Sequence, residues 1–80
     1  EKGPEAGAPS VDLLADRELE VFQMIGQGHT TREIAEALHL GVKTVDTYRE
    51  RIKQKLDLRN AAELYRRATE WVQQSLQGED

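Results

Sequence analysis

The sequence predicts an all-α domain of four helices, the middle pair joined by a short turn that contains glycine. Three observations predict it. Apolar residues recur at intervals of three and four in four separate stretches, the period of a one-sided helix. Two of those stretches open with a helix-start pair, Thr30 with Glu33 and Asn60 with Glu63. No segment alternates with the two-residue period of a strand, and there is no internal repeat or low-complexity tract.

Eighty residues at 38% hydrophobic content make one small domain. A chain of this length buries only about 60% of its unfolded surface and cannot support two cores. It has no cysteine, so neither a disulfide framework nor a cysteine-rich zinc site can reinforce the core. No apolar run approaches the roughly 18 residues of a membrane span, and no signal-like stretch opens the chain. A cytoplasmic location is expected. The chain starts at Glu1 and its one methionine is Met24, which suggests a piece of a longer protein.

Residues 1–10, EKGPEAGAPS, lack any large apolar anchor and read as a linker or a cloning remnant. The folded domain is expected over 11–76. A first helix is expected from about Asp16 to Gln27, with Leu19, Val21, Phe22, Met24 and Ile25 on its apolar side. Asp16 suits the helix start, Gly28 suits its end, and Leu13 and Leu14 can close over it as a staple. The T-x-x-E pair Thr30 and Glu33 starts a short second helix through Leu38, buried along Ile34, Ala35 and Leu38. Gly41 can cap a third helix from about Val42 to Leu56, so the middle pair fits a helix-turn-helix. A fourth helix should begin at about Ala61, with Leu64, Ala68, Trp71 or Val72, and Leu76 along one side. That is more apolar surface than a lone terminal helix needs, and it invites a partner. Residues 77–80 are expected to fray.

The third helix carries two kinds of surface. Val45, Ile52 and Leu56, with Val42 and Tyr48 close by, form an apolar stripe, while Lys43, Asp46, Thr47 and Glu50 fall on another side. Arg49, Arg51, Lys53, Lys55 and Arg59 surround that free side. The net charge of -4 argues against a nucleic-acid partner until its distribution is considered. Residues 1–36 hold 3 cations and 8 anions, residues 41–59 hold 6 cations and 3 anions, and residues 60–80 hold 2 cations and 4 anions. Screening over about 8 Å makes the local excess matter more to a nearby phosphate than the remote acids do. The third helix is thus a candidate for insertion into a DNA groove.

Four blocks in order carry a resemblance. They are Arg17, Glu18, Glu20 and Val21 as R-E-x-E-V; Gly28 with Glu33, Ile34 and Ala35 as G-x-x-x-x-E-I-A; Lys43, Thr44, Val45 and Tyr48 as K-T-V-x-x-Y; and Ile52, Lys55, Leu56, Leu58 and Asn60 as I-x-x-K-L-x-L-x-N. With these, the stretch from Leu14 to Val72 resembles the LuxR-type DNA-binding domain of NarL- and FixJ-like response regulators. The resemblance implies that the second and third helices form a helix-turn-helix and that the fourth mediates dimerisation. It implies phosphate contacts from Lys43 and Thr44, and base-facing positions at Asp46, Thr47 and Glu50. It also implies an upstream receiver or ligand domain, of which no residue is present. The chain departs from the family at two helix starts, with Ala15 in place of Ser or Thr and Gly41 in place of Ser. These should cost about 1 kcal/mol and a few tenths respectively, without changing the fold.

The expected function is sequence-specific binding of double-stranded DNA for transcription regulation, as the output domain of a two-component response regulator. Lys43, Thr44, Arg49, Arg51 and Lys53 would position the domain on phosphates, while Asp46, Thr47 and Glu50 are candidates for reading bases. Carboxylates cannot make the paired contact to guanine that Arg or Lys makes, but they can accept from cytosine N4. A homodimer through the fourth helix, with Leu64, Ala68 and Trp71 as interface candidates, would set two reading helices about one DNA turn apart.

Plainer readings exist for each residue. The cations also fit solvated surface, and Lys43 and Lys53 can simply compensate Asp46 and Glu50. Tyr48 fits packing, and Trp71 fits a core or dimer anchor better than a base-stacking role. His29 and Glu33 are too few to make a metal site. No phosphate loop and no nucleophile with a positioned histidine are present, so neither catalysis nor a cofactor is expected. The alternative of another class is a helical protein-interaction module that has lost DNA binding. A sigma-factor-like promoter module shares the helix-turn-helix but fits the K-L-x-L-x-N ending less well.

Overall fold

The computed structural model of the chain describes residues 10–77. Except for Ser10, the expected linker at 1–10 lies outside the described residues, as does the expected frayed tail at 77–80 except for Gln77. A 3-10 turn, Val11–Leu13, leads into four helices: α1 (Asp16–Gly26), α2 (Thr31–Leu38), α3 (Val42–Lys55) and α4 (Ala61–Gln77). The helix starts follow the capping chemistry. Thr30 Oγ1 accepts from the Glu33 N–H at 3.1 Å while Glu33 Oε1 accepts from the Thr30 N–H at 3.0 Å, a complete reciprocal box at α2. At α4, Asn60 Oδ1 accepts from the Glu63 N–H, but the Glu63 carboxylate reaches back one residue further, to the Arg59 N–H at 2.7 Å. At α1 only half a box forms, because Ala15 has no acceptor to offer: Glu18 Oε1 takes the Ala15 N–H at 2.8 Å.

The helix ends share one device. After α1, α2 and α3 the chain turns through a left-handed residue, Gly28 (φ 95°), His39 (φ 59°) and Asp57 (φ 58°). In each case the next N–H reaches back five residues to a helix carbonyl, as His29 to Met24, Leu40 to Ala35 and Leu58 to Lys53. This closure satisfies carbonyls that would otherwise lack a donor. Only the first uses glycine, the residue that takes this conformation without steric cost.

Helix α1 lies at the centre and packs against the other three. Its Val21, Phe22 and Ile25 join Ile34 and Ala35 of α2, Val45 and Ile52 of α3, Leu56, and Leu64 and Ala68 of α4 in one core. Each fully buried large side chain contributes about 1.5–3 kcal/mol. Trp71 packs on Phe22 with ring centroids 5.7 Å apart. Gly26 leaves no room between α1 and α4: a Cβ there would fall on the Ala68 carbonyl oxygen and 2.6 Å from Val72 Cγ2.

Several expectations are corrected by this packing. Leu13 is exposed, so Leu14 alone closes under α1, with Val11 packed beside the core. Val42 is also exposed, since the first residue of α3 projects beyond the packed stripe. Leu64 and Ala68 are fully buried within the monomer and are not available as a dimer surface. Their spacing is that of a core face, and one apolar stripe cannot cover α1 and a second molecule together. Trp71 is half-buried for the same reason.

Candidate nucleic-acid interface

Helix α3 is pinned on one side and open on the other. Val45 and Ile52, two turns apart, are fully buried and set the helix against α1 and α2. With 3.6 residues per turn, this places Lys43, Asp46, Thr47, Glu50 and Gln54 on the opposite side, and all five are exposed. Thr44 is exposed at the first turn. The structure therefore brings the three expected base-reading residues and Lys43 onto one open surface. Gln54 completes that surface and was not anticipated, although it stands four residues beyond Glu50 and seven beyond Thr47.

The charged groups around this surface are not equally free. Lys53 Nζ lies 2.9 Å from Glu50 Oε2, so one of the two carboxylates on the open surface already has a cation beside it. That pair joins i and i+3 on a helix surface, with Glu50 64% exposed, and is worth only a few tenths of a kcal/mol, which DNA contacts can outweigh. Asp46 has no ion-pair partner among the described residues. The Thr47 hydroxyl donates to the Lys43 carbonyl at 3.1 Å and keeps its lone pairs for an outside donor. Arg51 stands over the Tyr48 ring, its guanidinium carbon 6.0 Å from the ring centre, and Tyr48 is half-buried against the core, its packing role.

Two cations are engaged by neighbouring helices. Lys55 does not border the open surface: its ammonium sits 2.7 Å from Glu18 Oε1, a carboxylate only 4% exposed on α1. Burial pushes the Glu18 carboxyl up, but the Lys55 hydrogen bond, the Ala15 N–H and the charges of Lys55 and Arg51 outweigh it and hold the group below its ordinary 4.5. Arg49 turns toward α2, where its Nη1 donates to Thr31 Oγ1 at 2.6 Å. Glu18 and Thr31 were not assigned these roles by the sequence, because their partners lie 37 and 18 residues away and no helical period links them.

The start of α2 adds a small polar cluster. Glu33 Oε1, besides capping, lies 3.3 Å from His29 Nδ1, and the Thr30 N–H together with this histidine lowers the Glu33 carboxyl from 4.5. Among the described residues no group of three or more His, Cys, Asp or Glu side chains could hold a metal ion. Among the described residues no helix is long and apolar enough to cross a membrane.

A family model described as "Bacterial regulatory proteins, luxR family" matches residues 12–68, which contain α1, α2, α3 and the first half of α4. The chain belongs to the LuxR family of bacterial regulatory proteins. It is a DNA-binding transcription-regulator domain of that family, which is not an enzyme family. Among its relatives, the uncharacterized response regulatory protein YgeK of Escherichia coli is 46% identical over 59 residues, covering 74% of this chain and 40% of the relative. The oxygen regulatory protein NreC of Staphylococcus carnosus is 44% identical over 52 residues, 65% of this chain and 24% of the relative. The protein named "Virulence factors putative positive transcription regulator BvgA" of Bordetella pertussis is 41% identical over 54 residues, 68% of this chain and 26% of the relative. The chain thus spans about a quarter of the length of NreC and BvgA. No solved structure matches the chain.

Proposed function

We propose that this chain, with residues 11–76 as its folded unit, is the output domain of a two-component response regulator. It binds a specific duplex DNA sequence with the open face of α3. One observation carries this reading: Lys43, Asp46, Thr47 and Glu50 stand together on the surface opposite the buried Val45 and Ile52, and α2 is braced beside it. The first half of α3 enters the major groove and α2 crosses the phosphate backbone. Lys43, Thr44, Arg49, Arg51 and Lys53 meet phosphates and fix the register, while Asp46, Thr47 and Glu50 face base edges. The acidic pair favours cytosine N4 donors over guanine acceptors, so the operator differs from one read by lysines at these places.

Dimerisation is assigned to α4, but to a side other than the sequence suggested. Leu64 and Ala68 serve the core, whereas Tyr65, 54% exposed, and Ala62 three residues before it face outward. A second copy meeting this side would set two α3 helices on half-sites about one DNA turn apart.

Selection of bound duplexes from a random pool, followed by salt titration of the winner, tests the reading. The expected result is a defined motif that changes when Asp46→Ala and Glu50→Ala are combined. Affinity should fall steeply with salt, and the slope should fall by about 1 per protomer on Lys43→Ala. Flat salt dependence and no enriched motif would instead indicate a module that binds protein.

A further inference from the structure

We infer that Thr31 is a positioning residue for DNA binding, which holds the Arg49 guanidinium in place at the edge of the reading surface before DNA arrives. The inference rests on the proposed role of Arg49 as a phosphate contact. It starts from a division of labour at the α2 start. Thr30 is the capping residue, and its hydroxyl is committed to the Glu33 N–H. The half-buried Thr31 that follows has no capping task, and its hydroxyl accepts instead from Arg49 Nη1 across the helix pair at 2.6 Å. This is the one described hydrogen bond between side chains of α2 and α3.

Its value lies in what it leaves available. A guanidinium carries five N–H donors in a rigid plane, so fixing one nitrogen orients the whole group while most of its donors stay unspent. Arg49 lies four residues after the buried Val45, so its stem rises along the α2 side of α3 and not across the open face. Without Thr31 the long side chain would sample many rotamers, and a phosphate would have to order it on binding. With Thr31 in place, the two helices that approach DNA share one preset cation. A threonine hydroxyl suits this task because it accepts a hydrogen bond without bringing a charge that would compete with the phosphate.

The test is a set of affinity titrations on a single half-site duplex across a salt series, with wild type, Thr31→Val, Thr31→Ser, Arg49→Gln and the Thr31→Val/Arg49→Gln pair. Thr31→Val should weaken binding by roughly 2- to 10-fold with an unchanged salt slope, the effect of losing the preordering of one side chain. Thr31→Ser should restore it. Arg49→Gln should lower the slope by about 1, and adding Thr31→Val to it should cost nothing more. In the DNA-free domain, ¹⁵N NMR should show slowed rotation of the Arg49 Nη groups that Thr31→Val releases. The inference is overturned if Thr31→Val still weakens binding in the Arg49→Gln background, because Thr31 would then act on DNA or on the fold directly. It also falls if Thr31→Ser behaves like valine, or if Arg49→Gln leaves the slope intact. Absence of salt-dependent duplex binding by the wild type would overturn the functional reading itself, a result none of the variant comparisons can mimic.

Discussion

Glu18 sits in the first turn of α1, where a carboxylate favours the helix start, yet its main partner is Lys55 at the far end of α3. The contact ties α3 to the central helix at the end remote from the first turn of α3. Glu18→Gln keeps an acceptor for the Ala15 N–H but removes the charge that pairs with Lys55. Lys55 is 39% exposed and can turn to water, so the expected loss is about 1–2 kcal/mol in urea unfolding at pH 7, below the ~3–5 of a fully buried broken pair. The pH dependence follows from the direction of the shift. Because the folded carboxyl titrates below 4.5, its contribution is complete above that value and is lost as pH falls through the lower folded value. Wild-type stability should therefore drop more steeply than that of Glu18→Gln as pH is lowered below about 4.5. Parallel acid curves for the two proteins would show that the ion pair contributes nothing.

At the scale of the helices, α1 and α4 approach each other at Gly26 with no room for a side chain, which bears on how near the C-terminal helix lies to the centre. Two effects compete in Gly26→Ala. Alanine improves helix propensity by about 1 kcal/mol, but the added methyl would fall on the Ala68 carbonyl, which is backbone and cannot rotate away. Overpacking should win, with a net loss of about 1–2 kcal/mol after the propensity gain, read as a fall of several degrees in Tm. A raised Tm would mean that α4 can shift freely, and that its place is not fixed by this crossing. The other end of the same logic is seen at His39 and Asp57, where non-glycine residues take left-handed conformations to close α2 and α3. Tertiary packing of Leu40 and Leu58 beside the core accompanies these turns.

For the molecule as a whole, the consequence of a small core is that every strongly apolar stripe is used once. Helix α4 spends Leu64, Ala68 and half of Trp71 on its own fold, which leaves a polar, tyrosine-marked side for any second copy. The two sides of α4 should thus respond differently to substitution. Leu64→Ala should destabilise the monomer by about 2–5 kcal/mol. Tyr65→Asp should leave the unfolding curve within about 0.5 kcal/mol of wild type while abolishing cooperative binding to a duplex with two half-sites. Retained cooperativity in Tyr65→Asp, measured by sedimentation and DNA titration, would move the dimer contact elsewhere.

The sequence by itself determined the four helices, most of their starts and the family. Those are properties of short-range spacing: Thr30 with Glu33, Asn60 with Glu63, and the apolar period of each helix act within a few residues. It also placed Lys43, Asp46, Thr47 and Glu50 on a side of α3 away from Val45 and Ile52, because a helix fixes angles around its own axis. Only the tertiary structure decided which neighbour each remaining side chain meets. Lys55 pairs with Glu18, Arg49 reaches Thr31, and Leu64 and Ala68 turn inward, since the partners come from other helices and the crossing of those helices is set by the packed core. A period shows that a residue has a face. Whether that face meets the core, a partner or DNA depends on what the rest of the chain has already covered.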